Sequence, residues 1–563
     1  MSRIESDFLG ELEIPDEAYY GVQTMRGKHN FNITEMPMSQ EPFFAIAYGY
    51  VKKASVMTNK ELGCIPADVA DALIWACDQI IAGKYNDQFV TDWLQGGAGT
   101  STNMNCNEVL CNLACEHLGL PKGDKKVSPN DHANFGQSTN DSYPTAFHLS
   151  LILRSNVLLK AVEDLVASFY KKAEETKDVL KMGRTHLQDA VPMSFGQEFH
   201  GWGFTIADEI KTIKEAQEHL KVVNLGATAI GTTVTTHPEF PAKAVKHLAE
   251  ITGIDFRNSE DLIAATSDCG SYVALSSAVK SLAVKLTKVC NDLRLLASGP
   301  RTGLSELILP QLQPGSSIMP GKVNPVIPEV TNQAAFLAIG LDTTVMLASS
   351  AGQLELNVME PVITFALYMQ MKVMTNACNH LREKCIDGIV VNAEHCKDLV
   401  MGSLGIITIL KPHFGYKPCA NIAREGFLTG KSLHQLVVEE KQMLTQEQWD
   451  KVFTYENLIN PKFEKYDNNV WIQTALKKGG PGQKIRSTPV WVSIHAGLLR
   501  LTNQRKERIQ KRLPPFLKLI WTSSPFSSSW SFSPRSSSVS ALAASALATS
   551  AAPAFSSSAL ALA

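Results

Sequence analysis

An all-α fold built on a long helical bundle is what the sequence predicts, and three stretches carry the prediction. Residues 145–181 place Leu149, Leu151, Leu153, Val157, Leu158, Val162 and Leu165 at mostly helical spacing. Residues 271–298 continue the habit through Val273, Leu275, Val279, Leu282, Val284, Leu286 and Leu293. Residues 326–386 are apolar over many turns, with breaks expected near Gly352 and Pro361. Helices this long, with apolar residues on more than one face, need partners on several sides. A bundle shared between subunits answers that need, because the apolar coverage is too broad for the stripe of one chain. A monomeric all-α core is the alternative.

In chain order, residues 1–141 form an N-terminal domain and 142–394 the central bundle domain, which includes a loop at 315–325. Residues 395–466 form a small helical domain, punctuated at its start by Gly402, Gly405, Pro412 and Gly415. Within it, Phe427-Leu428-Thr429-Gly430-Lys431-Ser432 predicts a helix stop followed by a new cap. The triplet Gly430-Lys431-Ser432 is not a phosphate-binding loop, since Glu425 stands where that motif needs glycine. From residue 467 the character changes. Gly479-Gly480-Pro481-Gly482 is a linker signal, Lys511-Arg512 closes a basic patch, and 522–563 is Ser/Ala-rich with little capacity to form a core. That tail is expected to be disordered and dispensable for activity, with a basic interaction tail as the alternative.

At 563 residues the chain exceeds the roughly 250–300 residues at which a single core stops growing. Charged residues are 19%, hydrophobic ones 44% and the formal net charge is −2, which suggests no nucleic-acid or membrane partner. Residues 467–563 nevertheless carry twelve Lys/Arg against two acids, so the first 466 residues are acidic overall. Eleven cysteines are scattered without CxxC pairs, which fits reduced thiols in a cytoplasmic setting. The early acids and missing apolar stretch at the start argue against a secretory address.

Four separated segments share one chemistry. They are Gly96-Gly97-Ala98-Gly99-Thr100-Ser101-Thr102-Asn103-Met104-Asn105, Gln137-Ser138-Thr139-Asn140-Asp141, Gly183-Arg184-Thr185-His186-Leu187-Gln188-Asp189, and Gly315-Ser316-Ser317-Ile318-Met319-Pro320-Gly321-Lys322-Val323-Asn324-Pro325. Each presents hydroxyl and amide side chains near glycine or at an expected helix start, where neutral donors and free N–H groups bind carboxylates. Any one alone could be a helix cap; Ser138, Thr139 and Asp141 are good capping types. No His/Cys/carboxylate cluster stands at metal-ligand spacing, and no glycine-rich nucleotide loop appears.

Taken in order, the four segments resemble the fumarase/aspartase superfamily over about residues 1–466, starting from Tyr19-Tyr20-Gly21-Val22-Gln23-Thr24. The 315–325 stretch resembles that superfamily's signature loop. Gln95-Gly96-Gly97-Ala98-Gly99-Thr100-Ser101, Asn324-Pro325-Val326-Ile327-Pro328-Glu329-Val330 and the Met359-Glu360-Pro361 triplet are closer to the aspartase branch than to class II fumarases, whereas Thr236-His237-Pro238-Glu239 leans slightly the other way. The resemblance implies a three-domain fold with a 20-helix core in a homotetramer, active sites shared between subunits, and deamination of L-aspartate to fumarate and ammonia. It implies Ser316 as the base at Cβ. Thr100, Ser138, Thr139 and Ser317 would hold the β-carboxylate, and Lys322, Asn324 and Thr185 the α-carboxylate. Asn140 and His186 would contact the leaving amino group, with Glu329 orienting His186. No cofactor and no metal are implied, although some aspartases respond to divalent cations. Class II fumarase is the alternative activity, and a non-catalytic protein on the same fold the more distant one.

Overall fold

The structure is a computed structural model that describes residues 2–460; Met1 and 461–563, and with them the tail expectations, lie outside the described residues. The chain opens on an antiparallel hairpin, β1 (Ser2–Asp7) with β2 (Gly10–Pro15). Helices α1 (Val22–Asn30), α2 (Pro42–Glu61), α3 (Ala67–Ile81) and α4 (Thr100–His117) follow. Buried Glu108 of α4 ties α1 down: its carboxylate accepts the N–H groups of Gly21, Gln23 and Thr24 at 2.8, 2.8 and 3.0 Å. These are N–H groups that a helix start leaves without partners.

Five helices build the bundle: α5 (Thr139–Glu175), α6 (Phe195–Leu220), then, after the shorter α7 (Phe240–Thr252) and α8 (Leu262–Ser267), α9 (Gly270–Leu296), α10 (Val326–Ser350) and α11 (Glu360–Lys384). The buried side of α6 runs Phe195, Phe199, Trp202, Ile206, Ile213, Leu220, a helical period along one face. Cross-helix contacts fix the directions. Gln217 donates to Ser155 Oγ at 2.7 Å, while Phe195 N meets Val179 O at 2.9 Å just beyond the end of α5, so α6 runs antiparallel to α5. Trp202 pairs with Asp292 and Lys285 with Asp208, so α9 is antiparallel to α6. Ser276 bonds Asp342, and Asn332 bonds Asn291, so α10 is antiparallel to α9. Tyr143 meets Thr364 and Ser168 meets Asp387, so α11 runs parallel to α5.

The first predicted helix is shorter at its end than its apolar spacing suggested. It stops at Glu175, because the N–H groups of Phe195 and Gly196 take the carbonyls of Val179 and Thr176. The chain then forms a hairpin, β3 (Leu180–Thr185) with β4 (Gln188–Ser194). The expected break at 352–361 is real. Buried Asn357 donates to the carbonyls of Ala348 and Ser349, both at 3.1 Å, closing α10, and Pro361 occupies the first turn of α11. Besides the two hairpins, the strands are short pairs, β5 (Val222–Val223) with β6 (Arg257–Asn258) and β7 (Leu307–Ile308) with β8 (Val390–Val391).

Beyond the bundle lie α12 (Ala393–Gly402), a 3-10 segment Leu404–Leu410, α13 (Lys411–Phe414), α14 (Tyr416–Thr429), α15 (Gln446–Val452) and α16 (Tyr455–Ile459). Ile406, Leu410, Ile422, Leu436, Val437 and Trp449 form a second hydrophobic cluster, which Met182 of β3 joins. The predicted stop is present: Gly430 takes the left-handed conformation at φ 70°, and Ser432 Oγ then accepts Gln435 N. Among the described residues one helix, α10, is long and apolar enough to cross a membrane. Its Asn332 and Asp342 are bonded to α9 within the bundle.

Candidate active site

The loop before α10 folds back on itself. Gly315 N donates to Lys322 O at 2.7 Å, and Asn324 Nδ2 donates to Gly315 O at 2.8 Å. Inside this clasp Ser316 Oγ accepts two backbone donors, Ile318 N at 3.1 Å and Met319 N at 3.0 Å. Two N–H groups aimed at one hydroxyl oxygen favour negative charge on it. Ser317 and Lys322 are exposed, Ser316 and Asn324 half-buried.

The first two segments meet at two helix starts. Gly97, Ala98 and Gly99 all take positive φ (84°, 55° and 91°), turning the chain sharply into α4 at Thr100. Exposed Thr100 bonds back to Gly97 O at 2.7 Å. Ser138 caps α5: its Oγ accepts Asn140 N, and its own N–H donates to Asp141 Oδ1 at 3.0 Å. Asn103, one turn into α4, donates to Thr139 Oγ1 at 3.2 Å and so holds the two helix starts side by side. Asn140 Nδ2 reaches Ala229 O at 2.7 Å.

Pro144 stands four residues after Asn140 and has no N–H for its carbonyl. Asn224 Nδ2 takes that place at 3.0 Å. Buried Asp141 also grips the 226–228 turn, accepting Gly226 N at 3.1 Å and Thr228 N at 2.9 Å. Burial pushes its carboxyl up to about 7, against the pull of these amides and of Lys52. Deeper along the same helix face a cavity of about 620 Å³ is lined by His148, Asn224, Asp268, Tyr272 and Glu360. Burial pushes Glu360 up to about 8 and His148 down to about 4.

Thr185 and His186 occupy the tip of the β3–β4 hairpin and are exposed. His186 and Leu187 form a two-residue turn with both φ positive, at 56° and 59°. This is a conformation that favours Gly or Asn, held here by the Arg184↔Asp189 and Thr185↔Gln188 pairs. Outside the turn, Asp189 accepts Ser403 Oγ at 2.6 Å, and Arg184 pairs with buried Glu306. Glu329 lies half-buried in the first turn of α10. Its expected pairing with His186 is not among the bonds of the described residues.

The chain thus brings Thr100, Ser138, Thr139 and Asn140 together and carries the other segments elsewhere. Lys172, near the end of α5, donates to Ile389 O at 3.1 Å, next to the β7–β8 pair that leads into the 315–325 loop. Lys172 lies roughly 50 Å from Thr139 at about 1.5 Å rise per residue. Hairpin and signature loop therefore sit at the opposite end of the bundle from the α4 and α5 starts. Sequence reasoning missed the buried supports Lys52 and Asn224, which carry no spacing signal, and met Glu360 only as a branch marker in the Met359-Glu360-Pro361 triplet. Only Pro144 hinted that Asn140 would need a side-chain donor.

Comparison with known proteins agrees with this architecture. A family described as "Lyase" matches residues 10–340, and one described as "Fumarase C C-terminus" matches 406–460. An aspartate ammonia-lyase of Escherichia coli (strain K12) is 51% identical over 464 residues, covering 82% of this chain and 97% of that protein. One of Helicobacter pylori is 48% identical over 466 residues, covering 82% and 99%. Among solved structures, a fumarate lyase:delta crystallin from Brucella melitensis bound to cobalt superposes with TM-score 0.78 at 43% identity, covering 80% of this chain and 98% of that one. A class II fumarase from Schistosoma mansoni gives 0.77 at 33% identity, covering 82% and 100%. With the lyase match spanning more than half its length, the chain belongs to the fumarase/aspartase superfamily of lyases, on its aspartase side.

Proposed function

We propose that the chain is an aspartate ammonia-lyase that converts L-aspartate reversibly to fumarate and ammonia. The observation that carries this reading is the identity of 48–51% to aspartate ammonia-lyases over 82% of the chain, and the pair of backbone N–H groups on Ser316 Oγ supports its choice of base. The Cβ hydrogen of aspartate is only weakly acidic, and a serine hydroxyl in water is too weak a base to take it. An oxygen held by two amides in a loop that closes over substrate can act as alkoxide. Ser316 Oγ then accepts the Cβ proton, and the electron pair moves into the β-carboxylate as an aci-carboxylate. Ser138, Thr139 and Ser317 donate to its oxygens, as does Thr100 once its hydroxyl turns from the Gly97 carbonyl. Collapse of this intermediate forms the Cα–Cβ double bond and expels the amino group as ammonia, with Asn140 and His186 beside it and Glu329 orienting His186. Lys322, Asn324 and Thr185 hold the α-carboxylate, the lysine supplying charge and the others direction. Among the described residues no group of three or more His, Cys, Asp or Glu could hold a metal ion.

The same reading requires more than one chain, and the assembly we propose is a homotetramer. Residues about 50 Å apart in one chain meet only if chains pack with their bundles antiparallel. The exposed apolar side of α10, with Phe336 at 58%, Met346 at 52% and Leu347 at 60% exposure, supplies a surface for that packing. Four copies of the five-helix bundle make the expected 20-helix core. The eleven free cysteines, ten of them buried, fit a cytoplasmic location.

The test is fumarate formation, followed by ultraviolet absorbance, with L-aspartate and L-malate given in parallel. Fumarate from aspartate alone is expected. Fumarate from malate alone would move the chain to the fumarases. Silence with both, from a confirmed tetramer, would sink the reading.

A further inference from the structure

We propose that Lys52, which no substrate reaches, is a positioning residue that sets the direction of the Thr139 hydroxyl through a relay of buried amides. The inference rests on the reading that Thr139 holds the substrate carboxylate.

Lys52 is on α2 and has no exposed surface. Its ammonium has no ion-pair partner among the described salt bridges. It donates instead to two amide oxygens, Asn134 Oδ1 and Gln137 Oε1, both at 3.0 Å. Burial pulls it down to about 8, so near neutral pH the cationic form still dominates. A lysine ammonium can only donate. Both amides must therefore turn their oxygens towards it. Asn134 Oδ1 then also receives Asn103 Nδ2 at 3.1 Å and Asn107 Nδ2 at 3.2 Å. Asn134 Nδ2, facing away, donates to Gln137 O at 3.2 Å, which locks the flip. With its NH₂ fixed towards Asn134, Asn103 presents the same NH₂ to Thr139 Oγ1 at 3.2 Å. Asn103 Oδ1, on the opposite side, faces the Ser142 hydroxyl at 3.2 Å, whose proton it shares with the nearer Ser138 carbonyl at 2.7 Å.

The consequence falls on one proton. Thr139 Oγ1 accepts from Asn103, and among the described residues its own O–H has no acceptor, so that proton is left for a group bound at the helix start. A carboxylate held at that start accepts it. Without the cation, the amides of Asn134 and Asn103 are free to flip. A flipped Asn103 offers Thr139 a carbonyl oxygen, which captures the proton and turns a donor site into one that repels anions. A buried cation thus acts on substrate binding through three polar contacts rather than through its own field alone.

The test is a double-mutant cycle. Lys52→Met keeps the apolar stem and removes the donor; Thr139→Val removes the hydroxyl. Each alone is expected to raise KM for L-aspartate about tenfold or more, the scale of one hydrogen bond to a charged group. The double variant is expected to match Thr139→Val alone, because Lys52 acts through that hydroxyl. Independent effects that multiply would overturn the relay and leave Lys52 a structural residue. Should Lys52→Met fail to assemble, Asn103→Asp asks the same question. It replaces the NH₂ with an acceptor of equal shape and is expected to raise KM similarly, again without adding to Thr139→Val. A normal KM in assembled Asn103→Asp protein would overturn the relay. A normal KM in Thr139→Val would instead overturn the reading of Thr139 on which the relay stands.

Discussion

Single residues carry the chemistry, and their surroundings say how each should respond to change. Ser316 accepts two main-chain N–H groups in a self-clasped loop, and among the described residues its hydroxyl has no acceptor. Ser316→Ala should therefore leave assembly intact and lower kcat by about 10²–10⁴-fold, the usual scale for loss of a general base. Near-normal turnover in assembled protein would place the base elsewhere. Glu360 offers a different readout. Burial raises its carboxyl from the ordinary 4.5 to about 8, so between those values the folded chain binds more protons than the unfolded one. The stability this group contributes is full below about 4.5 and is lost as pH rises through about 8. Glu360→Gln cannot ionise. Its thermal midpoint relative to wild type should improve from about pH 5 to about pH 9, by the equivalent of on the order of a few kcal/mol. Parallel pH curves for the two proteins would mean the carboxyl is not held neutral.

Among the elements, the turn into α4 is the most tightly specified. A Cβ added at Gly99 would stand 2.1 Å from the Tyr143 ring, and its φ of +91° is unfavourable for any other residue. Gly99→Ala should cost about 2–4 kcal/mol through overpacking and backbone strain together. It should also raise KM, because Thr100 rides on the same turn. Gly63, with φ +70° and open space around it, is the control, since only the backbone term applies there. Equal losses of thermal midpoint in the two variants would show that contact with Tyr143 does not matter. The 186–187 turn is the counterpart in the hairpin: two non-glycine residues accept a left-handed conformation, a strain often found at functional positions.

For the whole molecule the decisive fact is the distance between the two groups of candidate residues. Ser316 and Ser138 of one chain lie at opposite ends of the bundle, so the proposed site must take them from different chains. Ser316→Ala and Ser138→Ala proteins, each nearly inactive, should regain activity when unfolded together and refolded as mixed tetramers. Random mixing at equal amounts should restore about a quarter of the wild-type rate, since a site needs both segments intact. No recovery from mixed tetramers of proven composition would mean that both serines serve a site within one chain.

The bundle was readable because periodic apolar residues report burial directly. The break between α10 and α11 was readable because Gly352 and Pro361 interrupt that period. The end of α5 was not, since Thr176 and Val179 remain compatible with a helix until the N–H groups of Gly196 and Phe195 claim their carbonyls. The four polar segments were readable as chemistry because hydroxyls, amides and turn formers cluster along the chain. Lys52 and Asn224 were not, because a lone polar residue in an apolar helix or a short loop looks the same whether it is buried or solvated. Local composition and periodicity thus determined the helices, the punctuation and the four polar segments, within which the family resemblance singled out the candidate side chains. Only the tertiary structure decided which of those side chains meet and which lie a bundle length apart, because hydrogen-bond partners are chosen by three-dimensional approach.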